Sequence, residues 1–100
     1  MKEVILDFRT VQTPKQIHEL LAETFSFPPY YGANLDALWD CLSELPITEE
    51  CVEVLLPEKN SAYPLYLHKV LSTLLESYET FSVPPLQNIR EIKDFLSVLP

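Results

Sequence analysis

A chain of 100 residues with 47% hydrophobic and 22% charged side chains is long enough for one folded domain and too apolar to stay disordered. Fifteen Asp and Glu against seven Lys and Arg give a formal charge of −8, which argues against direct nucleic-acid binding, because phosphate recognition needs clustered cations. A basic protein is the natural electrostatic complement.

Val4, Ile5 and Leu6 form an apolar run of three, too short for a secretory leader, and no stretch is long and apolar enough to span a bilayer. The same run predicts a strand over Glu3 to Phe8 covered on both faces. Thr13-Pro14-Lys15-Gln16 matches a capping box with proline at the first helical position, and Ile17, Leu20, Leu21 and Phe25 form one stripe, so the first helix is expected from Pro14 to Phe25. Ser26 to Ala33 is a loop stiffened by Pro28, Pro29, Tyr30 and Tyr31. Gly32, the one glycine in the chain, is placed there for a left-handed backbone or a close approach.

Asn34 reads as the N-cap of a second helix running to Leu45, stopped by Pro46, with Leu35, Leu38, Trp39 and Leu42 on its apolar face. Cys51 to Leu56 is a second short strand, Pro57 to Ser61 a turn, and Tyr63 or Pro64 to Glu79 a third helix with Glu76 opposite its apolar stripe. Phe81-Ser82-Val83 is a candidate third strand, limited by Pro84-Pro85. Asn88 to Val98 reads as a last helix. Strands alternating with helices predict a small α/β domain with a parallel sheet. Cys41 and Cys51 do not suggest a disulfide framework or a zinc site, and with an N-terminal run that does not read as a leader the expected compartment is reducing cytoplasm. His18 and His68 belong to no motif and are expected to be ordinary surface or boundary residues.

The second helix carries the functional signal. Asp36, Asp40 and Glu44 are spaced four apart, so their carboxylates form a row, and like charges at this spacing destabilise a helix by roughly 0.2–0.5 kcal/mol per pair. Only Asp36 lies in the first turn, where the helix dipole favours an anion. From Gln16 to Glu58 there is no Lys or Arg, while Asp and Glu occur nine times. An acidic helix beside two tyrosines reads as a contact surface for something positive.

The stretch Pro-Tyr-Tyr-Gly-Ala-Asn-Leu-Asp-Ala-Leu-Trp-Asp-Cys-Leu, Pro29 to Leu42, closely resembles the barstar family, intracellular inhibitors of barnase-type ribonucleases. The resemblance implies a three-stranded parallel sheet packed with helices, no cofactor, and a chain that is monomeric when free. Its implied partner is a basic secreted ribonuclease, whose active site the loop and second helix would plug. Carried over by position, Tyr30 and Tyr31 would pack on the enzyme, Tyr30 against its catalytic histidine. Gly32 would shape the loop, Asn34 and Leu35 would line the contact, and Trp39 would anchor the helix. Asp36 would pair with a basic residue and Asp40 would occupy the phosphate pocket, with Ser43 and Glu44 continuing the surface and Glu76 adding an acidic contact. The chain departs from the family in having Glu44-Leu45-Pro46 where the reference member has Gly-Trp, and in ending with a helix where the family has a strand. Two other readings stand beside inhibition: hydrolysis by an Asp36–Asp40 pair, and a binding or immunity module for a different basic toxin or a non-nuclease partner.

Overall fold

The computed structural model describes residues 3–97. Six elements follow in order: β1 (Glu3–Asp7), α1 (Pro14–Phe25), α2 (Leu35–Ser43), β2 (Cys51–Leu55), α3 (Tyr66–Phe81) and α4 (Ile89–Ser97). The predicted continuation of the last helix to Val98 lies outside the described residues. Among them, no helix is long and apolar enough to cross a membrane.

β1 and β2 pair in parallel, with Val4 opposite Val52 and Leu6 opposite Val54. A parallel pair needs a long crossover, and α1 and α2 supply it. Leu6, Phe8, Val52 and Val54 alternate onto the buried face, where they meet Ile17 and Leu21 of α1 and Leu67, Leu71 and Leu74 of α3 in one core. The other face is not covered as the apolar run predicts, because Ile5 is 44% exposed beside its register partner Glu53. Period-two alternation overrides the continuous apolar run here.

The candidate third strand at Phe81-Ser82-Val83 is absent. Phe81 closes α3, and Ser82 takes the left-handed C-cap conformation (φ 62°), its N–H donating to the Tyr78 carbonyl at 2.8 Å. Ser77, fully buried on α3, donates its hydroxyl to the Val83 carbonyl at 2.6 Å and ties this exit to the helix. The chain meets the sheet a few residues later, where Leu86 forms an isolated parallel bridge with Val52. Val52 N–H donates to the Pro85 carbonyl and Gln87 N–H to the Val52 carbonyl, both at 2.8 Å. Proline cannot donate to a ladder, but its carbonyl accepts.

The caps follow the sequence closely. Thr13 Oγ1 accepts from Gln16 N–H at 3.1 Å, and Pro14 opens α1. Gln16 reaches back one residue further than a capping box requires, its Oε1 accepting from Gln12 N–H at 2.7 Å. Helix α2 ends at Ser43 instead of Leu45, consistent with proline disfavouring helical backbone at the residue before it. Helix α3 starts later than expected, because its approach is a tighter turn in which Leu67 and His68 donate to the carbonyls of Pro64 and Leu65. Its C-terminus reaches Phe81, two residues past the expected Glu79.

Candidate functional site

The segment from Phe27 to Glu44 is built on α1 and α3. The Tyr31 N–H donates to the Pro28 carbonyl at 2.9 Å, closing a four-residue turn with Pro29 and Tyr30 at its corners. Proline suits the first corner, since its fixed φ matches the turn. The two tyrosines therefore diverge. Tyr30 stands 85% exposed at the tip, while Tyr31 turns back toward the body and packs on Phe27, ring centroids 4.9 Å apart.

The left-handed residue of the loop is Ala33 (φ 53°), not Gly32, whose φ lies outside that region. Glycine serves close approach instead: a Cβ at Gly32 would sit 3.3 Å from Ala37 Cβ and 3.5 Å from Asn34 Nδ2. Asn34 caps α2 as expected, its side-chain oxygen accepting from Ala37 N–H at 2.7 Å.

Leu38 and Leu42 are fully buried, seating α2 mainly on α3, and Trp39 is half-buried with its ring 5.3 Å from that of Phe81. Leu35 is also half-buried against the core. Asp36, Asp40 and Glu44 are exposed on the other side, although Glu44 now lies at the C-cap and not within the helix. Ser43 donates its hydroxyl to the Asp40 carbonyl at 2.7 Å, a bond within the last turn. Glu76 is exposed on α3, the helix that carries α2.

Among the described residues the one ion pair is Arg9–Asp7, at 2.9 Å on the surface, where the guanidinium's hydrogen bonds hold the Asp7 carboxyl below its usual range. Among the described residues, none pairs with the carboxylates of Asp36 or Asp40 on α2. Cys41, on the same helix, has its thiol pushed up by burial and then by Glu44 and Asp40, which keeps it protonated and a poor nucleophile. Among the described residues, no group of three or more His, Cys, Asp or Glu side chains is arranged to hold a metal ion.

His18 is a correction to the sequence reading. It is 3% exposed, and both ring nitrogens are engaged: Nδ1 lies 2.6 Å from the Tyr31 hydroxyl and Nε2 2.7 Å from the Tyr66 hydroxyl. Burial lowers its pKa and raises those of Tyr31 and Tyr66, so each stays neutral. The available signal was spacing, because positions 18, 21 and 25 share one side of α1. His68 is also partnered, Nε2 lying 2.8 Å from the Tyr63 hydroxyl.

The fold and the site together define a small parallel α/β protein that presents an exposed acidic helix, preceded by a loop with an exposed tyrosine at its tip. The family model described as Barstar (barnase inhibitor) matches residues 1–82, and the chain belongs to that family. It is also similar to a Bacillus subtilis (strain 168) protein named "Putative ribonuclease inhibitor YrdF", with 45% identity over 51 residues. That match spans 48% of this chain and 56% of the relative.

Proposed function

We propose that the protein is a stoichiometric inhibitor of a basic, barnase-type ribonuclease and acts in the cytoplasm that houses it. The observation that carries this reading is the exposed row Asp36–Asp40–Glu44, unpaired among the described residues, with the exposed ring of Tyr30 on the loop that leads into α2. A ribonuclease active site concentrates Lys, Arg and His around the scissile phosphate, and carboxylates on a rigid helix imitate that phosphate. Asp40 enters the phosphate pocket, Asp36 pairs with a neighbouring cation, and Tyr30 lies on the catalytic histidine. Leu35, Asn34 and Gly32 form the floor of the contact, Ser43 and Glu44 its edge, and Glu76 a second acidic contact from α3. Trp39 serves indirectly, through its packing on Phe81.

Exposed carboxylates keep their hydration until the partner arrives, so desolvation falls on the binding step and must be offset by well-matched cations. Family membership and the relative named as a ribonuclease inhibitor support inhibition as the role. The experiment is titration of a barnase-type ribonuclease with the purified protein, reading RNA cleavage. Activity should vanish near equal molarity, and Asp40→Ala should weaken inhibition by two to three orders of magnitude, matching about 3–4 kcal/mol for stranding one member of a desolvated pair. Full potency in Asp40→Ala contradicts the role given to Asp40. Cleavage that continues past a several-fold excess of the native protein contradicts the proposal.

A further inference from the structure

Tyr30 and Tyr31 are adjacent in sequence but have different surroundings. Tyr30 has its ring in solvent, whereas the Tyr31 hydroxyl is already engaged by His18 Nδ1. The same imidazole reaches the hydroxyl of Tyr66, the first residue of α3, through Nε2. One side chain therefore joins the loop, α1 and α3. A neutral imidazole donates from one nitrogen and accepts at the other, so one hydroxyl receives and the other gives. The rings support this arrangement, with His18 lying 5.6 Å from Tyr31 and 5.5 Å from Tyr66, tilted by 55° and 59°.

From this three-residue relay we infer that His18 is a positioning residue for the tyrosine loop: by holding the Tyr31 hydroxyl it fixes the Pro28–Tyr31 turn, and so fixes where Tyr30 stands relative to α2. The inference rests on the inhibitory reading given above for its consequence in binding, but not for the latch itself. Tyr31 is then the internal strut of the loop and Tyr30 its contact. A loop ordered before the encounter loses less entropy on binding than one that must be ordered by the partner. Leucine at position 18 would fill the same interior space and supply neither hydrogen bond, so packing alone does not account for an imidazole with both nitrogens engaged.

Two amide substitutions separate the two arms of the relay. In His18→Asn the amide comes near the place of Nδ1 and retains a partner for Tyr31; in His18→Gln it reaches toward Nε2 and retains a partner for Tyr66. His18→Leu retains neither. Hydrogen exchange of the Tyr31 amide, which the turn protects, is read in the free protein at matched global stability. Exchange in His18→Asn should stay within about threefold of the native rate, and in His18→Gln and His18→Leu it should rise at least tenfold. Inhibition should weaken in the same order. Tyr31→Phe, which deletes one hydroxyl and leaves the ring in place, should accelerate the same amide and keeps the test available if position 18 tolerates no change. Equal exchange in the Asn and Gln variants, or an unchanged rate in Tyr31→Phe, overturns the inference. An exchange pattern that splits as expected in a protein that inhibits no ribonuclease leaves the latch standing and removes the inhibitory reading.

Discussion

The side chain of Asn88 and the backbone of Val54 are joined by two hydrogen bonds: Asn88 Nδ2 donates to the Val54 carbonyl at 2.7 Å, and Val54 N–H donates to Asn88 Oδ1 at 2.9 Å. Val54 lies in the middle of β2, and its backbone polar groups on that edge need partners. Beyond the Leu86 bridge the chain turns into α4, so a side-chain amide continues the ladder where backbone no longer can. Asn88→Ala should therefore destabilise the fold by about 2 kcal/mol, the scale of stranding buried backbone groups. Urea unfolding should show a lower midpoint with unchanged slope. A loss below about 0.5 kcal/mol would mean that water replaces the amide.

This pairing also marks how far the sequence could be read. The helices were legible because apolar spacing and caps agree: Thr13 and Asn34 both accept the expected amides. The acidic row was legible because like charges four apart have a local cost, and beyond Asp36, which the helix dipole favours, Asp40 and Glu44 have no local return. The third sheet contact was not, since β propensity pointed to Phe81–Val83 while tertiary pairing used Leu86 and an asparagine side chain that no strand pattern detects. The division between Tyr30 and Tyr31 depends on one standing at a corner of the turn and the other closing it, and residue type does not encode it. His18 was hidden for a similar reason: its partners lie 13 and 48 residues away.

Position 33 should accept glycine with a gain. Alanine in the left-handed region costs roughly 1–2 kcal/mol, and the greater freedom that glycine gives the unfolded chain takes back about half of that. Ala33→Gly should stabilise the protein by about 0.5–1 kcal/mol, read as a raised urea midpoint. A lowered midpoint would show that the Ala33 methyl makes a contact worth more than the strain.

Gly32→Ala should act through contact rather than backbone strain. Its new methyl would meet Ala37 Cβ at 3.3 Å, close enough to push the loop from the first turn of α2. A loss of about 1 kcal/mol is expected. Ala37→Gly costs a similar amount through helix propensity, yet it opens the space the new methyl needs. The double variant should lose less than the sum of the single losses, and strict additivity would place the effect elsewhere.

Association with a cationic ribonuclease should slow steeply with salt, because the attraction acts across solvent and the Debye length shrinks from about 30 Å at 0.01 M to about 3 Å at 1 M. Asp36→Asn and Asp40→Asn should each flatten the dependence of the association rate on salt, measured by stopped-flow mixing. Glu91→Gln on α4, outside the proposed surface, should leave more of that dependence intact. Equal flattening by all three would mean that net charge alone, and not the row on α2, steers the encounter.

Protonation of His18 should set part of the acid sensitivity. Its pKa in the folded protein lies below the ordinary 6.5, because burial disfavours the imidazolium. As pH falls through about 6.5 the unfolded chain takes up a proton that the folded chain refuses, so the unfolded state gains and stability declines. The decline continues down to the lowered folded value, with a slope of at most about 1.4 kcal/mol per pH unit for one proton, and above about pH 7 the contribution is flat. The Asp7 carboxyl, held down by Arg9, adds acid sensitivity in a window below 3.8, well separated from this one. Urea midpoints of the native protein and His18→Asn should therefore converge from pH 7 to pH 5, because the variant has no proton to take up at this position. Parallel curves would show that the folded interior accepts the charge, with both tyrosine hydroxyls turning to receive the imidazolium protons.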